Sequence, residues 1–120
     1  MKTHRDLDVW KDGIDFSSVI YQITASFPKY ELYGITSQIR NAVVSVPTNI
    51  SEGAARNSSK EFVRFLHISM GSLSEVETLL IISRNLKYIS EDSFEEVFAK
   101  LKKITAQLSG LIKVISKTYL

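Results

Sequence analysis

Two histidines, thirteen acids, fifteen bases and no cysteine are what this chain has for chemistry. A carboxylate-bridged metal centre in a helical protein takes a Glu-x-x-His pair from each of two helices. His4 and His67 are the only histidines, and the residue three before His67 is Arg64, so no such pair exists. No two histidines stand one helical turn apart, as a helical zinc site requires. Ribonucleases built on small helical bundles space an arginine and a histidine more widely than Arg64 and His67, and more closely than Arg56 and His67. Glycine-rich phosphate loops and a Gly-x-Ser-x-Gly nucleophile elbow are absent. Lack of cysteine removes disulfides and thiolate chemistry. The expectation is a protein that is not an enzyme and holds neither cofactor nor metal. Of the mid-chain acids Glu52, Glu75 and Glu77, Glu52 can pair with Arg56 one turn on. Glu75, beside a run of small residues, is expected to take hydrogen bonds from a neighbouring helix.

Positive charge is the remaining chemistry. Arg56, Lys60 and Arg64 recur every four residues and would form a ridge, which Arg40 could extend and Glu61 dilutes. Lys100, Lys102 and Lys103 make a second cluster. Cations in a row suit the phosphate backbone of a nucleic acid, so Arg40, Arg56, Lys60 and Arg64 are the expected contacts. A solvated helix face has the same look, and a net charge of +2 does not by itself diagnose such a partner.

These residues must be held by helices. The chain has 120 residues, 44% of them hydrophobic and 23% charged, which suits one domain over residues 1–120. Met1 to Asp6 lack the apolar core of a secretion signal, and the longest aliphatic run, Leu79 to Ile82, is far shorter than the roughly 20 residues that span a bilayer. A cytoplasmic protein with no membrane partner is therefore expected. Helix 1 is predicted over Leu7 to Ser26, with Asp6 and Asp8 at its positive end and Pro28 as its stop. Its core stripe is Val9, Phe16, Ile20, Ile23 and Phe27, and a second stripe of Trp10, Ile14 and Tyr21 lies beside it. A second helix runs from Ile35 to Arg56, with Ile39, Val43, Val46 and Ile50 on one face and Pro47 inside the pattern. A proline there costs roughly 3 kcal/mol and predicts a kink held by tertiary packing. Ser58 and Glu61 form a capping box that starts a third helix over Ser59 to Leu86. Gly71, among Ser69, Ser72 and Ser74, is expected to mark a close helix crossing; Gly53, near a helix end, looks merely inexpensive. Ser90 caps a fourth helix whose stripe (Phe94, Val97, Leu101, Ile104, Leu108, Leu111, Ile115) repeats every 3.5 residues. Four amphipathic helices with short links predict an all-α, antiparallel up-down four-helix bundle with a proline-containing second helix.

Four segments resemble one bacterial family: Phe27-Pro28-x-x-Glu31, Gln38-Ile39-Arg40, Ser45-Val46-Pro47-x-Asn49-Ile50-x-Glu52-Gly53 and Gly71-Ser72-Leu73-x-Glu75. It is the family of proteins encoded by intervening sequences of 23S rRNA genes, also labelled S23 ribosomal protein. The likeness runs along nearly the whole chain in order. The resemblance implies an antiparallel four-helix bundle that assembles into a homopentamer, with no established enzymatic activity. A similar protein is the accessory variability determinant of diversity-generating retroelements, a strongly basic pentamer that contacts nucleic acid and a reverse transcriptase. Two functions follow as expectations. One is an oligomeric adaptor bound to RNA or to a nucleic-acid-processing protein through Arg40, Arg56, Lys60 and Arg64. The other is a scaffold for a polypeptide partner, with no nucleic-acid role.

Overall fold

The computed structural model describes residues 7–120, so His4 and Asp6 lie outside the described residues. Four helices follow one another: α1 Asp8–Thr24, α2 Ile35–Ala54, α3 Ser59–Asn85 and α4 Glu91–Tyr119. Each packs on the next in chain order and α4 returns to α1, which is an antiparallel up-down bundle about 45 × 24 × 20 Å. The α2–α3 interface is the most extensive and the α1–α4 seam the thinnest. The core is made by the helical stripes: Val9, Phe16 and Ile20 from α1, Ile39, Val43, Val46 and Ile50 from α2, Leu66, Leu73, Val76 and Leu80 from α3, and Phe94 to Ile115 from α4. Among the described residues, α3 alone has the length and mean hydropathy to cross a bilayer, a property the short aliphatic run does not suggest. Here one face of it lines the core, while Ile68, Ile82, Glu75 and Glu77 stand exposed.

The helix ends follow side-chain chemistry. Ser58 Oγ accepts from the Glu61 N–H at 3.2 Å, and Ser90 Oγ does the same for Ser93 at 3.2 Å. Only half of the expected capping box forms, because the Glu61 carboxylate turns to Arg64. α1 ends at Thr24, two residues before the predicted end. Three-residue bonds from the Ser26 and Phe27 N–H groups to the Ile23 and Thr24 carbonyls, at 3.4 and 3.1 Å, close the turn before Pro28. α2 likewise ends at Ala54 and not at Arg56. α3 closes with Lys87 at φ 63° and the Tyr88 N–H bonded to the Ser83 carbonyl at 2.9 Å, a Schellman turn with lysine where glycine is usual.

α2 runs through Pro47 without a loop. The missing N–H leaves the Val43 carbonyl without its helical donor. Ser17 Oγ of α1 lies 3.3 Å from that carbonyl and 2.8 Å from the Gly13 carbonyl, so its one hydroxyl hydrogen is shared between them. Gly13 faces the proline ring: a Cβ there would sit 3.4 Å from the Pro47 Cβ. On the other side, Ser69 of α3 donates to the Val46 carbonyl at 2.8 Å, and Ser45 meets Ser72 at 2.8 Å while accepting from Asn49 Nδ2 at 2.9 Å.

Two expectations are corrected here. Gly71 is exposed, with nothing within 4 Å of the position a Cβ would take, so no helix of this chain crosses there. The close crossing is at Gly53, where an added Cβ would stand 2.7 Å from the Phe65 Cβ and 3.3 Å from the Phe62 carbonyl. Glu75 is exposed and takes no hydrogen bond from a neighbouring helix, because α3 turns this face to solvent. The opposite behaviour of the two glycines is measurable. Gly53→Ala should lower stability by about 1–3 kcal/mol through overpacking. Gly71→Ala should raise it by about 1 kcal/mol through helix propensity. Urea midpoints at unchanged slope check both.

Candidate functional site

Arg56, Lys60 and Arg64 come together at the corner between α2 and α3. The connection, and not one continuous helix, brings Arg56 round to the first turns of α3. Both guanidiniums lie over the ring of buried Phe65, Arg56 at 4.9 Å and Arg64 at 4.8 Å from its centre. A cation over a ring face is held by the ring quadrupole and keeps its outer N–H donors available. Arg64 also pairs with Glu61 at 3.0 Å, and Arg56 approaches Glu52 at 3.8 Å; all four side chains are largely exposed. The hydrogen bond from Arg64, with the positive charges of Arg64, Arg56 and Lys60, holds the Glu61 carboxyl below its usual range. The same contact raises the Arg64 guanidinium. Lys60 is exposed between the two arginines in sequence, and His67 is exposed one turn further along α3.

Arg40 does not join this corner. It stands near the start of α2, and 16 residues at about 1.5 Å rise separate it from Arg56. Its Nε donates to Thr24 Oγ1 at 2.8 Å, its Nη2 to the Tyr21 carbonyl at 3.3 Å, and its guanidinium covers the Tyr21 ring at 4.7 Å. These bonds tie the start of α2 to the last turn of α1. The lysines of α4 spread out: Lys103 pairs with Asp12 at 3.5 Å across the α1–α4 seam, and Lys102 lies over Phe98 at 5.3 Å. Asp12 also accepts from Gln107 at 2.9 Å, and a cavity of about 160 Å³ opens beside it.

The opposite end of the bundle carries a chain of hydrogen bonds that spacing alone does not reveal. Tyr88, between α3 and α4, donates to Glu31 Oε2 at 2.8 Å, and Tyr30 OH lies 3.3 Å from Tyr88 OH. Since the Tyr88 hydrogen is committed to the carboxylate, Tyr30 is the donor of that second bond. Glu31 Oε1 accepts the Ile35 N–H at 3.3 Å, capping α2. A Cβ on Gly34 would fall 2.5 Å from that oxygen, so a side chain there would turn the Glu31 carboxylate away from its present bonds. The bonds to Tyr30 and then Glu31 push the Tyr88 hydroxyl far above the ordinary phenol range.

Two apolar surfaces stay open. Ile14, Tyr21, Val44, Pro47 and Thr48 line a groove of about 450 Å³ along α1 and α2, with Ile14 and Tyr21 40% and 44% exposed. On α3, Ile68 and Ile82 are each 41% exposed, with Gly71, Glu75 and Thr78 bare between them.

Fold and surface define a four-helix bundle with open helix faces and a basic corner. The chain belongs to the 23S rRNA-intervening sequence protein family, which matches residues 5–110. A protein of unknown function from the S23 ribosomal protein family of Bacteroides thetaiotaomicron has the same fold, at 22% identity and a TM-score of 0.79 over 88% of this chain and 98% of that one. No curated protein matches the chain. Neither description names an enzymatic activity.

The corner makes a pH prediction. Because the folded Glu61 carboxyl titrates below its unfolded value, the Arg64 link contributes stability above the unfolded pKa and loses it as pH falls through the folded one. Carboxyl NMR titration should place Glu61 below the usual glutamate range, and Arg64→Gln should move it back up.

Proposed function

We propose that this protein is a non-enzymatic, self-associating bundle that binds RNA through its phosphates. The observation that carries this reading is the pair of guanidiniums seated on Phe65, with Lys60 exposed near them. Stacking on the ring orders two long side chains before any ligand arrives, which reduces the entropy lost on binding. The family's name, which ties it to 23S rRNA intervening sequences, is in keeping with an RNA partner. Glu61 competes for Arg64, so a single corner is a weak site.

Self-association would supply the rest. The α1–α2 groove and the outer stripe of α3 are different surfaces, and a contact between one subunit's groove and the next subunit's stripe is head-to-tail. Such contacts close into rings when the rotation fits. Five subunits, the number that the family resemblance implies, would carry about +10 and repeat the basic corner around an axis. Several weak corners on one RNA raise avidity without a strong single site.

RNA binding should be tolerant of sequence at this corner, about micromolar, and steeply salt-dependent. Arg56→Gln, Lys60→Gln and Arg64→Gln together should flatten the salt slope and leave the oligomer intact by light scattering. A wild-type protein that binds no RNA at about 50 mM salt would turn the reading to the polypeptide scaffold.

A further inference from the structure

Tyr30 and Tyr33 are nearly bare, 79% and 94% exposed, in the short connection between α1 and α2. Leu32 beside them is 49% exposed, and Leu86 at the same end of the bundle is 51% exposed. Tyr33 contributes nothing visible to folding: the ring is bare and no hydrogen bond holds it among the described residues. Tyr30 is different, since its hydroxyl is tied to Tyr88 while the ring remains open to solvent. That tether fixes a ring that has few torsions to lose, as a stacking platform requires.

Charge at this end tells which flat partner the rings suit. Lys29 shares the tight turn Lys29–Glu31 with Tyr30, and Lys87 precedes Tyr88; both lysines are exposed. The nearest carboxylate, Glu31, is turned inward with both oxygens bonded. Glu91 and Asp92 occupy the first turn of α4, where the helix dipole offsets part of their charge. Aromatic faces flanked by cations suit unstacked bases and the phosphates between them.

We infer that the Tyr30–Tyr33 end is a second RNA contact, a stacking surface for single-stranded bases, separate from the Arg56–Arg64 corner. It rests on the RNA reading above but uses different side chains. The twenty residues of α2 set the two sites about 30 Å apart, so substitutions at one should not couple to the other. The surface would prefer single strands over duplex, whose bases are already stacked.

The test uses the full chain with two fluorescein-labelled probes, an oligouridylate of about 12 nucleotides and an RNA duplex of equal length. Tyr33→Ala and Tyr30→Leu should each weaken single-strand binding by about 5- to 100-fold. Tyr33→Phe should keep it, and duplex binding should be unchanged in all three. Tyr33→Ala should leave the fold and its urea midpoint unchanged, given how little of that ring is covered. Wild-type single-strand affinity in both Tyr33→Ala and Tyr30→Leu would overturn the inference and leave these rings to a polypeptide partner. In that case, loss of binding in the triple glutamine variant would still uphold the phosphate corner. If the wild-type chain binds neither probe, the phosphate reading falls and this inference falls with it.

Discussion

One backbone carbonyl without a helical donor constrains how this bundle is assembled. Pro47 removes the N–H that Val43 would have used, in the middle of the helix that lies between α1 and α3. Helix propensity argues against such a proline by roughly 3 kcal/mol. α1 answers it with the Ser17 hydroxyl at 3.3 Å from the carbonyl and packs Gly13 against the ring, where a Cβ would stand in ordinary contact 3.4 Å from the Pro47 Cβ. α3 braces the other side through Ser69 on the Val46 carbonyl and Gly53 beneath Phe65. The sequence Ser45 to Gly53 is therefore one packing unit: Ser45 bonds across to Ser72 of α3, its apolar members fill the core, and Gly53 sets how closely α2 and α3 approach.

That unit also fixes the surface. Seating Gly53 against Phe65 brings the end of α2 onto the start of α3, which carries Arg56 to the same ring that Arg64 covers. The far end of α2 is placed by Glu31, whose carboxylate joins the α1–α2 connection to the α3–α4 connection through Tyr88. Helix placement and the spacing of charges and rings are thus consequences of the same few close contacts. The faces left outside the core, the Ile14–Tyr21 groove and the Ile68–Ile82 stripe, are what assembly with further copies would use.

Most of the fold was legible in the sequence because it is written locally. The 3.5-residue stripe of α4, the Ser58 and Ser90 caps and the break at Pro28 each depend on neighbours within one or two turns. What was misread depends on distant neighbours. Gly71 and Gly53 look alike in a helical pattern, and only the residue across the interface tells an open glycine from an obligatory one. Arg40 keeps helical spacing with the basic ridge but lies at the other end of α2, tied to Thr24 and Tyr21. Tyr30 and Tyr33 carry no periodic signal at all. Their one trace in the sequence is two aromatics in a connection where polar residues are the norm.

Ser17 satisfies the carbonyl orphaned by Pro47, and a double-mutant cycle tests this directly. Ser17→Ala should destabilise the natural chain by about 1–3 kcal/mol, because a buried carbonyl loses its donor. In a Pro47→Ala background the N–H at position 47 returns and bonds Val43 within the helix. The same Ser17→Ala change should then cost far less, leaving a coupling of about 1 kcal/mol or more. Equal costs in the two backgrounds would contradict the account, and would mean that Ser17 serves only its own helix through the Gly13 carbonyl.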